Sequence, residues 1–258
     1  MNILDTIIAK KREEVVTRKS LVSNAALEKS AFFSRPTLSL AQSLVHPQRT
    51  GIIAEFKRKS PSKGIINAQA DVIEVTNAYT HFGASGLSVL TDEQFFGGTS
   101  DDLVKARVND IPVLRKDFII DEYQIAEARA IGADVILLIA ACLTPQQVQK
   151  LAAFAKSLQL EVLLEIHDET ELDHICDETD LVGVNNRNLK TFEVDINTSL
   201  RLISHMPAHK PGVAESGISS PEAIRTLKQA GFKGFLIGEN FMKQPLPSVA
   251  FADFVKQL

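Results

Sequence analysis

The sequence predicts an α/β chain folded as a closed (β/α)8 TIM barrel with an N-terminal helical extension, and three features carry that prediction. Eight short runs rich in β-branched residues and leucine recur along the 258 residues. Amphipathic stretches with helical spacing separate them, and capping residues and glycines punctuate the junctions. Strands that follow one another through single helices must be parallel and need right-handed crossovers. Eight such units close a barrel; an open doubly wound sheet is the second choice.

Residues 1–48 come first and stand outside the repeat. Ile3, Leu4, Ile7, Ile8, Val15 and Val16 suggest a helix whose apolar stripe is interrupted by Lys11 and Arg12, with shorter helical pieces after it. This segment is too small for a core of its own and is expected to pack on the barrel as a lid or a bottom plug. The expected strands are 51–56, 86–90, 111–114, 134–139, 160–166, 181–184, 211–215 and 234–237. Between the first two, Val72, Val75, Tyr79 and Phe82 share a helical face, as do Val148, Leu151, Ala155 and Leu158 after the fourth. Thr144-Pro145 and Ser220-Pro221 each offer an N-cap hydroxyl followed by proline at the first helical position. Asp168 with Glu171 has the form of a capping box. Gly83, Gly132 and Gly231 stand just before new strands, where a left-handed helix terminus is expected. No linker or low-complexity stretch divides the chain, which reads as one domain over 1–258.

Hydrophobic residues at 45% and charged residues at 23% exclude a disordered or fibrous chain. With 28 basic against 32 acidic residues there is no positive excess, so a nucleic-acid partner is not expected. The longest apolar run, 135–143, is too short to span a bilayer, and the N-terminus lacks the apolar segment of a signal peptide. A cytoplasmic protein without a membrane partner is expected. Cys142 and Cys176 form neither a CxxC pair nor a disulfide framework and read as free buried thiols. His205 and His209 have i, i+4 spacing, but Pro207 breaks the helix that would align a metal pair. His46, His81, His167 and His174 show no ligand pattern, and solvated loop histidines are the preferred reading. There is no Walker A sequence, GxGxxG or GxSxG, so neither metal nor cofactor is expected.

In such barrels the chemistry lies at the C-terminal ends of the strands and in the loops that follow. By the two-residue period, Glu55 and Lys57 extend the interior row of Ile53, and Lys116 that of Leu114. Glu165 follows Leu163, Asn185 and Arg187 follow Gly183, and Glu215 and Ser216 end the seventh strand. Any one of these is as well explained by a charged residue marking a strand exit. Together, Glu55, Lys57, Lys116, Glu165 and Glu215 come from four strands, and closure brings them to one mouth. Partly buried charges are costly unless paired, so the cluster reads as an acid/base site. The segments AESGISS and FLIGEN each bring a glycine to a strand end in the loops that hold phosphate in this architecture. Backbone amides of Ser216, Gly217, Gly238 and Glu239, with a short helix starting near Asn240, would cradle an anion, Glu239 turning its side chain outward. Phe95, Phe96, Gly97, Gly98, Pro61 and Phe118 are candidates for an apolar slot.

The phrases IIAEFKRKSPSKG, GLSVLTDEQFFGG, VLRKDFIIDEYQI, LLEIHDE, VGVNNRNL, VAESGI and FLIGE together resemble the indole-3-glycerol-phosphate synthase family, from about residue 2 to the C-terminus. The resemblance implies a carboxy-lyase of tryptophan biosynthesis. Its reaction closes 1-(2-carboxyphenylamino)-1-deoxyribulose 5-phosphate to indole-3-glycerol phosphate, with release of CO2 and water and no cofactor. It implies Lys116 as the general acid on the ribulose carbonyl and Glu165 as the group acting in the later removal of water. Lys57 would face the substrate's carboxylate or phosphate. Glu55 and Asn185 would orient these groups, with Glu215 and Ser216 in support. Arg187, Gly217 and Gly238 match phosphate-binding positions, and Pro61, Phe118, Leu137 and Leu189 match the pocket for the anthranilate ring. Ser60 and Glu239 count among the substrate-binding positions, although Glu239 and Asn240 stand where the family often has small hydroxyl residues. The expected partner is the small phosphosugar–anthranilate substrate, with monomer and weak homodimer both open. A class I aldolase with Lys116 or Lys57 as Schiff base is disfavoured, because the glutamates should keep both lysines protonated. A noncatalytic phosphosugar-binding barrel or pathway assembly partner is the alternative from another class. Retention of both lysines and Glu165 argues against it.

Overall fold

The computed structural model describes residues 3–189 and 191–258; the first two residues of the expected extension lie outside them. Eight parallel strands form a closed barrel: β1 (Ile52–Phe56), β2 (Gly86–Leu90), β3 (Val113–Lys116), β4 (Val135–Ile139), β5 (Glu161–Ile166), β6 (Leu181–Asn185), β7 (Gly212–Glu215) and β8 (Gly234–Ile237). Each strand pairs with its neighbours in chain order, and β8 returns to β1 through Ile52↔Phe235 and Ala54↔Ile237. β2 and β8 have the expected bounds. β3 starts later than expected, because Pro112 has no N–H to give to the ladder. It then runs on to Lys116, whose side chain enters the barrel mouth.

Alternate residues divide between two apolar layers. Ile53, Leu114, Leu137, Leu163, Leu181, Val213 and Leu236 fill the barrel interior. Ile52, Ala54, Phe56, Val113, Ile136, Val162 and Phe235 face the outer helices. Burial on both faces explains why these segments appear in the sequence as continuous apolar runs instead of alternating ones.

The junction chemistry holds in most places. Thr144 forms a capping box with Gln147 at the start of helix Pro145–Ser157, and Ser220 caps Pro221–Ala230. Gly83, Gly132 and Gly231 adopt φ of 92°, 93° and 116°. Asp168 is the exception. It caps a 3-10 helix, Glu169–His174, and the Glu171 carboxylate accepts the backbone N–H of His167 instead of that of the cap residue, so there is no capping box. Among the described residues the fifth crossover therefore carries no α-helix.

The N-terminal segment acts at both ends of the barrel. Helix Ile3–Leu21 lies at the C-terminal mouth, where Ile3, Leu4 and Ile7 reach the cavity. Helix Leu40–Val45 closes the base with Leu40 and Leu44. Gly86 makes room for it, since a Cβ there would lie 2.6 Å from Leu40 Cδ1. Lys11 does not interrupt the packing face of the first helix. Its ammonium is buried between Asp92 (2.9 Å), Asp117 (3.0 Å) and Glu14 (2.8 Å). Val16, counted in the expected stripe, is 70% exposed. Cys142 and Cys176 are unpaired, but each is half-buried instead of enclosed. No helix among the described residues is long and apolar enough to cross a membrane.

Candidate active site

The inward-facing rows of the strands end in polar residues around a cavity of about 460 Å³ at the C-terminal mouth. Its floor is built from Glu55, Lys57, Lys116, Glu165, Asn185 and Glu215, each on or just beyond the end of a strand. The Lys116 ammonium stands 3.4 Å from Glu165 Oε2 and 3.8 Å from Glu215 Oε2. Lys57 pairs with Glu55 Oε1 at 2.7 Å. The Asn185 side-chain amide donates to Glu165 Oε1 (3.1 Å), while its oxygen accepts the Arg187 backbone N–H (3.0 Å). Both ends of that amide are thus committed, which fixes its orientation.

Burial works against every charge here, and the partners decide which charges survive. For Lys116, desolvation is outweighed by Glu165, Glu215 and Glu55, so the ammonium is held well above the usual lysine range. For Glu165, burial is outweighed by Lys116 and then by the adjoining His167 imidazole, which keep the carboxyl well below its ordinary value. Glu55 is likewise lowered against burial by Lys57 and Lys116. Glu215 goes the other way: burial and then the neighbouring Glu165 charge raise it despite Lys116. Its Oε1 has no hydrogen-bond partner and faces Gly183, where a Cβ would come within 2.2 Å. Two adjacent carboxyls with opposed shifts are the pattern expected of an acid/base pair.

The last two loops form the other side of the cavity. Ser216 and Gly217 follow β7 with φ of 63° and 76°, a left-handed turn that carries the chain along the cavity wall. Gly238 precedes a short helix, Glu239–Met242, which starts one residue earlier than expected. Gly238 also leaves space for Glu55, whose Oε1 would lie 2.5 Å from a Cβ at that position. Arg187 lines this side too. Glu239 does not turn outward as expected. Its carboxylate lies 3.7 Å from Arg187 Nη2 and 3.9 Å from Lys63 Nζ, and two cations draw it to the cavity wall.

The apolar wall contains Pro61, Phe96, Phe118 and Leu189, with the Ser60 hydroxyl at its edge and the Phe96 and Phe118 rings 5.9 Å apart. Leu137 is not part of the wall. It points inward but lies one layer below, in the barrel core, and Ile139, two residues further along β4, lines the cavity instead. Phe95, Gly97 and Gly98 also lie outside the lining. Gly98 packs against the Leu90 carbonyl, where a Cβ would come within 2.0 Å. The sequence reading missed Ile3, Leu4 and Ile7, Lys63 and His167. The first three belong to a helix whose docking no local pattern reports, and His167 was read as a solvated loop residue. Its imidazole is only 12% exposed and touches Glu165 and Glu171.

A family model described as indole-3-glycerol phosphate synthase matches residues 4–254. An indole-3-glycerol phosphate synthase from Bacteroides thetaiotaomicron is 48% identical over 258 residues, covering 100% of this chain and 99% of the relative. Proteins of the same description from Polaromonas naphthalenivorans and Acinetobacter baumannii are 46% and 45% identical, covering 98% and 96% of this chain and 98% and 94% of their own. Among solved structures, a 3-hexulose-6-phosphate synthase superposes with a TM-score of 0.63 at 12% identity, over 81% of this chain and 99% of its own. A thiamine phosphate pyrophosphorylase from Pyrococcus furiosus does so with a TM-score of 0.59 at 13% identity, over 85% and 98%. At those identities the two structures speak for the barrel alone.

Proposed function

The chain belongs to the indole-3-glycerol phosphate synthase family, and from that premise we propose how its residues divide the decarboxylating ring closure among them. The reaction joins an aromatic carbon to a ketone carbon, then sheds CO2 and water. It needs a carbonyl made electrophilic, a bent substrate held in place and a group that moves protons afterwards.

Lys116 is the general acid. It enters the cavity as an ammonium fixed by Glu165 and Glu215, so it delivers a proton to the ribulose oxygen as the aromatic carbon attacks. The same pairing argues against a Schiff-base role, which requires a neutral amine. Glu165, held as a carboxylate, takes up a proton in the step that expels water. Lys57, braced by Glu55, faces the substrate carboxylate until CO2 leaves. Asn185 orients Glu165, and Glu215 and Ser216 support this floor. The phosphate lies against Gly217, Gly238 and Arg187. Ser60, Pro61, Phe118 and Leu189 hold the anthranilate ring, with the Phe96 ring tilted against Phe118. A cytoplasmic location belongs to the same proposal.

The observation that carries the assignment is the half-buried Lys116 ammonium set between the Glu165 and Glu215 carboxyls, at the floor of a cavity with an apolar wall on one side and the two glycine loops on the other. The test is indole fluorescence on mixing purified protein with the carboxyphenylamino-deoxyribulose phosphate, without added cofactor. Lys116→Met and Glu165→Gln should each reduce turnover by about 10²-fold or more. Near-normal turnover in both variants would overturn these roles, and binding without product would favour a noncatalytic barrel.

A further inference from the structure

We propose that His167 is a positioning residue for Glu165, an imidazolium behind the cavity that turns one carboxylate oxygen away from the substrate and keeps the group ionised. The inference rests on the reading of Glu165 as the acid/base group, and it concerns a residue that does not line the cavity.

His167 follows β5 directly, two residues after Glu165. Its Nε2 lies 3.3 Å from Glu165 Oε1, an ion-pair contact without the geometry of a directed hydrogen bond. On the far side, Nδ1 is 3.1 Å from Glu171 Oε2, and that same oxygen accepts the His167 backbone N–H at 2.7 Å. One carboxylate thus grips both the ring and the backbone from which the ring projects, leaving the imidazole little freedom. Glu165 Oε1 is held by His167 and the Asn185 amide, and Oε2 is left to Lys116 and the cavity.

The surroundings favour the charged imidazole. Glu165 faces it from β5 and Glu171 from the 3-10 helix Glu169–His174. Lys116 and Glu215 stand beyond Glu165, on its far side. Cys142, in the turn after β4, stays a neutral thiol, pushed up to about 12 by burial and then by Glu165 and Glu171. His174 is engaged elsewhere, with Nε2 2.9 Å from the Leu143 carbonyl. Burial alone would discharge His167, but the contacts to Glu165 and Glu171 prevail and raise it to about 10. A histidine that only filled space would not need a carboxylate on each side.

The experiment compares kcat–pH profiles of the parent, His167→Gln and Glu171→Gln. The first variant keeps a polar side chain and removes the cation; the second loosens the imidazolium without touching Glu165. Loss of the cation raises the proton affinity of Glu165, so the ascending limb should move to higher pH by about one unit in His167→Gln and by less in Glu171→Gln. At neutral pH Glu165 stays ionised in both variants, so the fall in kcat there reads lost positioning alone: about tenfold in His167→Gln, with KM within about twofold. The imidazole 15N resonances of His167 should stay cationic through pH 8, where an ordinary histidine is neutral. Unshifted limbs, a loss confined to KM, or an imidazole that titrates near its usual value would overturn the proposal. Glu165→Gln, measured in parallel, separates the two readings. Near-normal turnover there removes the premise, whereas an inactive Glu165→Gln with an unshifted His167→Gln profile overturns the role of His167 alone.

Discussion

Gly238 and Glu239 sit side by side and act on the site in opposite ways. A methyl group at Gly238 would lie 2.5 Å from Glu55 Oε1 and 2.9 Å from Glu55 Cβ, so it must displace the carboxylate that braces Lys57. Gly238→Ala should therefore lower kcat by about tenfold or more, on the scale of losses from small misplacements in active sites. A kcat within about twofold of the parent would show that Glu55 yields without consequence. Glu239 instead lies against Arg187, proposed above as a phosphate contact, and against Lys63, so on that proposal its carboxylate competes with an incoming phosphate. Removing its charge should lower KM. These contacts are long and partly exposed, a class worth about 0.2–1 kcal/mol, so Glu239→Gln should improve KM by up to about fivefold at low salt and less at high salt. A raised KM would mean that Glu239 assists binding instead of competing with it. The sequence could not show this arrangement. Lys63 follows the first strand and Glu239 the last, and only barrel closure brings them together.

Elements were legible wherever their own residues reported their surroundings. The eight strands are sheathed on both faces and show it as apolar runs. The ends of Pro145–Ser157 and Pro221–Ala230 are set by caps within a few residues. The N-terminal helix was legible as a helix, but its docking was not, because that depends on partners distant in sequence. By sequence Lys11 interrupts the apolar stripe, yet it is the residue that fastens the helix, held by Asp92 two residues past β2 and by Asp117 just after Lys116. Asp117 is drawn down to about 2 because Arg115 and Lys11 outweigh its burial. Lys11→Met would leave the buried Asp92 carboxylate without a cation and Asp117 with Arg115 alone, a change of the kind that typically costs about 3–5 kcal/mol. Arg12, one position on, is exposed, and Arg12→Met should stay within about 0.5 kcal/mol. Urea midpoints of the two variants would test this, and equal midpoints would rule out the fastening role. The candidate site was legible to the same extent as the elements. Glu55, Lys116, Glu165 and Glu215 could be read from period-two rows, whereas Ile3, Leu4 and Ile7 could not, since they enter from outside the barrel.

The barrel as a whole divides its labour along its axis. Below the mouth the interior is apolar and is closed at the base by Leu40 and Leu44. At the mouth the same inward rows bring together three buried glutamates, Glu55, Glu165 and Glu215, around two lysines. Packing alone does not call for such an end, and Glu215 is where it works most against folding. Burial and then the Glu165 charge raise its proton affinity in the folded chain, while unfolding releases it to the ordinary value of 4.5. An acid raised on folding binds its proton more tightly in the native state. Native stability therefore declines as pH rises above 4.5 through the folded value, and nothing is lost below 4.5. Glu215→Gln removes that penalty and should raise Tm at pH 8 by about 2–4 °C, the shift that about 1 kcal/mol produces in a chain of this size. The gain should shrink as the pH approaches 4.5, where the parent glutamate is itself protonated. Lys116→Met should do the reverse, because it leaves Glu165 and Glu215 without the cation between them and lowers Tm most at high pH. If both variants melt below the parent at pH 8, the mouth is held together by its charges; if only Lys116→Met does, Glu215 is retained at the expense of stability for the chemistry it supports.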